Sequence, residues 1–291
     1  MALKFDRSHG TAAAIRHIAR GEIDDALEAI GKLEDDPARA VHAARQRLKR
    51  LRALLRLARG HFRHFSDENA AFRDLGRKLS AMREADVLGE TFDTVLKEGE
   101  LGPLPGLRQA LLAAHPGRNN ESGRDVLLHE TRPGLEAARK RVDDWQFAAH
   151  GFALLGEGVE DTFRSMRAAG LEAQAFADPE HLHEWRKQVK YHAAQLRYLQ
   201  PVAPEWLGPR RQTADRLADV LGDHHDLDML AKALAELPAE CGDDAGRLAG
   251  PGAARRGRLE TEAFHLRERL ADITPAVFRE RLEQAWDIWR G

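Results

Sequence analysis

The stretch PARAVHAARQRLKRLRALLRLARGHFRHFS, residues 37–66, concentrates positive charge in one part of the chain. It contains nine arginines and lysines and three histidines, and it has no aspartate or glutamate. The whole chain of 291 residues has a formal net charge of only −2 at pH 7. This local excess of positive charge predicts a cationic helix. The spacing of the charged residues then determines which face of the helix carries them.

Four of these side chains share one face of the predicted helix. They lie in a stripe roughly 60° wide at the helical repeat, and they are His42, Arg45, Lys49 and Arg56. At about 1.5 Å of rise per residue, the stripe is roughly 21 Å long. That length suits an extended polyanion better than a single phosphate group.

The same spacing recurs 141 residues downstream. The second copy consists of His183, Arg186, Lys190 and Arg197. Each copy follows an Asp-Pro pair, at 36–37 and at 178–179, and aspartate before proline is a signal for a helix start. The repeat therefore predicts an internal duplication with halves 1–150 and 151–291.

Composition predicts an all-α protein. Hydrophobic residues make up 43%, charged residues 32% and aromatic residues 6% of the chain, which is typical of amphipathic helices. The single cysteine, Cys241, excludes an internal disulfide and favours a reducing compartment. No apolar run reaches the roughly 18 residues of a membrane span, so we expect a cytoplasmic protein without a membrane partner.

Apolar periodicity and helix breakers predict the elements in order. The predicted helices cover 11–33, 37–62, 67–96, 107–114, 124–145 with a kink at 133–134, 158–176, 179–200, 209–237, 258–271 and 275–290. Residues 115–123 are expected to form a loop, and the glycine-rich residues 241–257 a connection. No segment has a convincing strand pattern.

A row of arginines and lysines on a helix is usually a solvated face, in which acidic residues alternate with basic ones. Residues 37–66 contain no acid, both stripes begin with a histidine, and like charges on one face repel. These features favour a polyanion site. His42 and His183 could act as metal ligands, general bases or phosphate contacts; neighbouring cations repel a metal, so we favour hydrogen bonds to phosphate oxygen.

The sequence Asp223-His224-His225-Asp226-Leu227-Asp228 has two interpretations. Carboxylates and imidazoles are ligands for Mg²⁺, Mn²⁺ or Zn²⁺, but neighbouring residues on a helix face different ways. We therefore favour a role for Asp226 in ordering the adjacent basic helix through a charge-assisted hydrogen bond. Asp86, which follows His42 at nearly the same distance, is expected to do likewise, and Trp185 is assigned to the core.

Two pairs of motifs resemble the CHAD family, the conserved histidine α-helical domain. The first is Val41-His42-x-x-Arg45-x-x-x-Lys49-Arg50-x-Arg52 with Arg83-x-x-Asp86-Val87, and the second is His183-x-x-Arg186-Lys187-x-x-Lys190 with Leu221-Gly222-x-x-x-Asp226-Leu227. The resemblance covers nearly the whole chain. It implies two pseudo-symmetric four-helix bundles with a basic surface or channel between them that binds inorganic polyphosphate. Ala193 and Tyr191 stand where Arg52 and Arg50 stand in the first copy, so the second stripe is thinner.

The two stripes and the family motifs together predict a set of polyphosphate-binding residues, to which we add two arginines of the helix that precedes the second basic helix. The set is His42, Arg45, Lys49, Arg50, Arg52, Arg56, His183, Arg186, Lys187, Lys190, Arg197, Arg164 and Arg167. Arg16 and Arg20 lie on the equivalent helix of the first half, and their direction is open. Association with polyphosphate granules is a further expectation.

Enzymatic function has little support in the sequence. No GxxxxGK[ST], GxSxG, HExxH or CxxC motif occurs, and the ExExK motif of the fused CYTH domain found in some family members is absent. We expect a non-enzymatic protein with no cofactor and no bound metal. The alternatives are an RNA or DNA backbone binder, disfavoured by the few aromatics near the stripe, and a metal-dependent phosphohydrolase using residues 223–228.

Overall fold

The computed structural model describes residues 3–33, 36–79, 84–116 and 126–291, and this part of the chain is helical. It contains no β-strand, only an isolated bridge between Phe62 and Phe147. The all-α prediction is confirmed. The helices are α1 (Thr11–Gly31), α2 (Pro37–Leu57), α3 (Phe65–Lys78), α4 (Glu84–Glu98), α5 (Pro105–Ala114), α6 (Arg132–Arg141), α7 (Gly156–Phe176), α8 (Pro179–Leu199), α9 (Pro204–Ala235), α10 (Gly242–Leu270) and α11 (Pro275–Arg290).

The two basic helices begin as the Asp-Pro pairs predict. The Asp36 carboxylate accepts a hydrogen bond of 3.0 Å from the backbone N–H of Arg39 at the start of α2. The Asp178 carboxylate accepts one of 2.9 Å from the backbone N–H of His181 at the start of α8. Each aspartate satisfies a backbone donor that the first turn leaves free, so both helices have a fixed starting residue.

Helices α2 and α8 cross at small side chains. Ala53 of α2 packs against Tyr191 and Ala194 of α8, in a buried cluster separate from the main core. The side-chain amide of Gln195 donates to the backbone carbonyl of Ala53 at 3.3 Å. Because the distance between packed helices depends on the side chains at their contact, the alanines allow close approach. The two basic stripes are thereby brought together.

A glycine fastens α7 to the end of α2. A Cβ atom on Gly158 would collide with the backbone carbonyl oxygens of Arg56 and Leu57. Backbone atoms cannot rotate away as a flexible side chain can, so this position requires the absence of a side chain. The first helix of the second half is therefore seated directly on the basic helix of the first.

The main core joins residues from both halves. It includes Ile15 and Leu54 from the first half and Trp185 and Leu217 from the second, each fully buried. Helix α4 packs against α9 and α10, whereas α3 packs against α2. The predicted pair of four-helix bundles, divided at residue 150, stays a prediction; the apolar core is continuous across that position.

Two segments differ from the sequence prediction. The single helix expected over 67–96 is present as α3 and α4, and residues 80–83 between them, including Arg83, lie outside the described residues. Residues 117–125, within the expected loop and the start of the following helix, also lie outside them. The expected connection 241–257 is instead part of α10, which continues through Pro251. Burial of Leu248 and Leu259 on one face supports this helix, because tertiary packing overrides weak local propensity.

Among the described residues, no helix has the length and apolarity needed to cross a membrane.

Candidate anion-binding groove

A groove of about 1130 Å³ lies between α2, α8 and α9, with further residues from α3, α4 and α10. Its lining includes ten arginines and lysines and five carboxylates. This is a strong local excess of positive charge in a chain whose net charge is −2. Ten of the predicted site residues line it, namely His42, Arg45, Lys49, Arg50, Arg52, His183, Arg186, Lys187, Lys190 and Arg197.

Two of these cations, Lys49 and Lys190, belong to opposite stripes and repel each other. Burial, followed by the charges of Arg45 and Arg186, lowers the pKa of Lys49 to about 8. Burial, followed by the charges of Arg186 and Lys49, lowers the pKa of Lys190 to about 6. The two stripes are therefore close enough to suppress each other's protonation, and an anion between them would relieve this repulsion.

The carboxylates of the groove neutralise only part of its charge. Lys187, Arg197 and Arg255 each form an ion pair, with Glu184, Asp215 and Asp223 respectively. Four cations at the centre have no described carboxylate within 4.0 Å, and these are Arg45, Lys49, Arg186 and Lys190. No described carboxylate therefore occupies the N–H donors of these four side chains, and the donors are available to a ligand.

Asp226 is the carboxylate whose charge reaches all four central cations. It lies on α9 and lines the groove, and its negative charge opposes the lowering of their pKa values. The charge of Asp226 thus acts on both basic helices, and its predicted charge-assisted hydrogen bond to the adjacent basic helix stays a prediction. All four pKa values remain lowered, because burial outweighs the charge of Asp226 in each case and cationic neighbours add to the effect of burial for Arg45, Lys49 and Lys190.

Three histidines line the groove. The Nε2 atom of His42 lies 2.7 Å from the amide nitrogen of Gln46, one turn along α2. His183 contacts His225 of α9. Burial, with Arg186 as the next cause, lowers the pKa of both His183 and His225, the latter to about 3. A neutral imidazole can still donate one hydrogen bond to a phosphate oxygen.

Arg52 and Arg56 are held by neutral groups. Both guanidinium groups donate to the Oδ1 atom of Asn69 at 3.1 Å, and Arg56 lies 4.0 Å from the ring centre of Tyr191. Arg52 lines the groove, whereas Arg56 lies beyond it. Tyr191 thus occupies the position equivalent to Arg50 as a stacking partner for arginines of the other helix.

The structure does not bring Arg164 and Arg167 into the groove. Arg164 is exposed on α7 and forms ion pairs with Glu160 and Asp161. Arg167 donates to the backbone carbonyls of Ala271 and Ile273, between α10 and α11. Arg164 therefore contacts its own helix, and Arg167 contacts the neighbouring connection. The prediction that both belong to the binding surface is wrong.

The equivalent arginines of the first half also point elsewhere. Arg16 donates to the backbone carbonyl of Trp145 at 2.5 Å, and Arg20 forms an ion pair with Asp143. Both partners follow α6. The arginines of α1 therefore fasten that segment of the chain, and neither lines the groove.

The side chains of residues 223–228 disperse to different partners. Asp223 pairs with Arg255 at 3.0 Å, His224 with Glu260 at 2.9 Å, and Asp228 with Lys232 at 2.8 Å. Within the described parts of the chain, no three histidine, cysteine or acidic side chains come together as a metal site would require. Trp185, assigned to the core, is fully buried and stacks on Phe264.

Several groove residues were not predicted. Arg77 of α3, Arg255 of α10 and His225 of α9 all line it. His225 could have been predicted from the sequence, because it is the neighbour of Asp226. Where a helix directs one residue into a groove, the adjacent residue can lie at the edge of the same groove. Arg77 and Arg255 carry no such local signal.

The fold and the groove define an all-α protein with a cationic cleft between two helices that carry the same sequence repeat. The chain belongs to the CHAD domain family, whose sequence model matches residues 17–235. The CHAD domain is associated with polyphosphate binding. No curated protein matches the chain.

Proposed function

We propose that the groove binds inorganic polyphosphate and that the protein is not an enzyme. The observation that carries the proposal is the meeting of the two basic stripes around one cleft. Lys49 and Lys190 come from sequences 141 residues apart, yet the charge of Lys49, after burial and Arg186, lowers the pKa of Lys190. Such an arrangement costs stability in the empty protein, and a linear polyanion would offset that cost along the length of the cleft.

The chemistry of the lining suits a chain of phosphates. Arginine can hold two phosphate oxygens in a planar fork, whereas lysine acts as a point charge. Arg45 of α2 and Arg186 of α8 can each form such a fork, and Lys49 and Lys190 supply point charges from the same two helices. A ligand with many equivalent oxygens could exchange between these donors, so no single contact needs to be indispensable.

The alternative functions have weaker support. Tyr191 is the one phenylalanine, tyrosine or tryptophan among the described lining residues, and Arg56 covers its ring. No aromatic surface is therefore offered to stack a nucleic-acid base. For a phosphohydrolase, the acidic and histidine side chains of residues 223–228 would have to converge on a metal, but Asp223, His224 and Asp228 each pair with a different residue.

The test is a titration of long-chain polyphosphate against wild type and the double variant Lys49→Gln/Lys190→Gln. By counterion release, we expect the variant to bind at least about tenfold more weakly and the salt dependence to become shallower by roughly 1.4, at about 0.7 per lost contact. The matched control is Arg269→Gln/Arg281→Gln, which replaces two basic side chains at exposed positions of α10 and α11. Equal affinity of the groove variant and the control would contradict the proposal.

Two further arms separate the alternatives. Single-stranded RNA at matched phosphate concentration should displace polyphosphate poorly; displacement as efficient as by polyphosphate itself would favour the nucleic-acid function. Incubation of polyphosphate with the protein and Mn²⁺ or Mg²⁺ should release no orthophosphate. Release that is lost in an Asp226→Asn variant would instead support hydrolysis.

A further inference from the structure

A row of three arginines leads out of the groove along α2. Arg52 lines the groove, Arg56 follows one turn later, and Arg59 lies just past the end of the helix with an exposed side chain. Successive members are four and three residues apart, so they follow one face of the helix. Burial, together with the charges of Arg52 and Arg59, lowers the pKa of Arg56. The three charges therefore form one continuous row.

Neutral groups hold this row in place. Asn69 accepts hydrogen bonds from Arg52 and Arg56. The ring centre of Phe65 lies 6.0 Å from the guanidinium of Arg56 and 5.5 Å from that of Arg59. Among the described residues, no carboxylate lies within 4.0 Å of any of the three guanidinium groups. Each group is thus oriented without being neutralised.

An oriented, unneutralised guanidinium is suited to bind phosphate. Stacking on an aromatic ring leaves the N–H edge of the guanidinium free to form a fork with phosphate oxygens. Because Arg56 is already held by Asn69 and Tyr191, less side-chain freedom is lost when a ligand binds. An ordinary solvated row of arginines would have neither the fixed orientation nor the aromatic supports.

We propose that Arg56 and Arg59 form an exit track, continuous with the groove through Arg52, that contacts the part of a long polyphosphate chain extending beyond the groove. The proposal rests on the proposed function of the groove and specifies its ligand as a long polymer. Arg59 lies seven positions after Arg52, which adds roughly 10 Å of contact at about 1.5 Å per residue. A short oligophosphate that fills the groove would not reach this track.

The experiment measures affinity as a function of chain length. Wild type and Arg56→Gln/Arg59→Gln are titrated with a series of polyphosphates from tripolyphosphate to long chains, with Arg269→Gln/Arg281→Gln as the charge-matched control. A longer polyphosphate can bind in more positions along the groove, and this raises the apparent affinity of every variant to the same extent. We therefore compare the ratio of the dissociation constants of variant and wild type at each chain length. We expect a ratio near one for the shortest chain that binds and about tenfold for the longest.

Thermal unfolding shows whether the double variant is folded. If the double variant is unfolded, the single variant Arg59→Gln replaces it in the titrations, because it alters only an exposed side chain. For this variant we expect the ratio of dissociation constants to rise to about threefold for the longest chain.

The possible outcomes distinguish this inference from the proposed function. If wild type binds no polyphosphate of any length, the proposed function itself fails. If wild type binds and the ratio is the same at every length, the exit track is overturned while groove binding stands. A ratio that grows with length in the track variants, and stays flat in the control, supports the track.

Discussion

The Nδ1 atoms of His183 and His225 lie 3.3 Å apart, where α8 and α9 both face the groove. Their ring centres are 4.6 Å apart. Two protonated imidazoles at this separation would repel each other. Burial and Arg186, and then His183 itself, lower the pKa of His225 to about 3. This wall of the groove therefore holds an uncharged histidine next to a cluster of cations at neutral pH.

We expect polyphosphate binding to take up protons at neutral pH. Lys190, which faces Arg186, Lys49, Asp226 and Asp219, has a pKa of about 6 in the empty groove and is mostly uncharged. A bound polyanion raises this pKa, so the complex should gain about one proton, and affinity should increase as pH falls from about 8 to about 6. Calorimetry in two buffers of different ionisation enthalpy measures the uptake.

The control for proton uptake is Lys190→Gln. This variant should lose most of the difference between the two buffers while keeping part of the affinity. Binding by wild type with the same heat in both buffers would exclude proton linkage, without affecting the evidence for binding itself.

Replacing Lys190 with methionine should stabilise the empty protein. Between pH 10.5 and about 6 the unfolded chain binds a proton on this amine that the folded chain does not, so the folded protein loses stability as pH falls through that window. Lys190→Met removes the penalty, and we expect a gain of about 1 to 2 kcal/mol near neutral pH. Denaturant unfolding checks this value. The gain should shrink toward pH 10.5, and a gain independent of pH would contradict its electrostatic origin.

Gly158→Ala should destabilise the protein by about 2 to 4 kcal/mol. The new methyl group would meet the carbonyl oxygens of Arg56 and Leu57, so α7 and α2 must separate. The matched control is Gly246→Ala in α10, where nothing lies within 4 Å of the added Cβ. There the change should stabilise by about 0.5 to 1 kcal/mol. Thermal unfolding of the two variants is expected to move in opposite directions.

Tyr191→Leu should weaken binding of long polyphosphate more than Tyr191→Phe does. The phenylalanine keeps an aromatic face 4.0 Å from the Arg56 guanidinium, and leucine removes it. An arginine on an aromatic ring contributes about 0.5 to 2 kcal/mol, so we expect a loss of roughly threefold to tenfold for leucine. Titration with the longest polymer provides the measurement. Equal losses in the two variants would show that the ring does not orient Arg56.

The stripes could be predicted because helical periodicity is a local property. The positions of His42, Lys49, His183 and Lys190 on their own helices follow from their spacing alone, and the structure places all four in the groove. The capping by Asp178 was equally local. The prediction for Arg164 failed although the sequence contained a local explanation. Glu160 lies four residues earlier on the same helix and forms an ion pair with Arg164, so this arginine needs no ligand to account for it.

The remaining groove residues depend on how distant helices pack. Arg255 reaches the groove because α10 packs on α9 and α4, and no spacing within 242–270 reveals that. The first half of this helix was missed because its glycines and Pro251 suggested a connection, whereas its second half lies within the helix predicted over 258–271. Its stability comes from buried side chains such as Leu248 and Leu259, which contact other parts of the chain. Interactions of this kind appear only once the tertiary structure is known.

The apolar core that runs through both halves has a consequence for dissecting the protein. A repeated sequence invites the production of each copy as a separate fragment. Either fragment alone would expose the surfaces that α2 and α4 bury against α7, α8, α9 and α10. The two copies should therefore behave like obligate partners that happen to share one polypeptide: soluble when co-expressed, and prone to aggregate when produced singly.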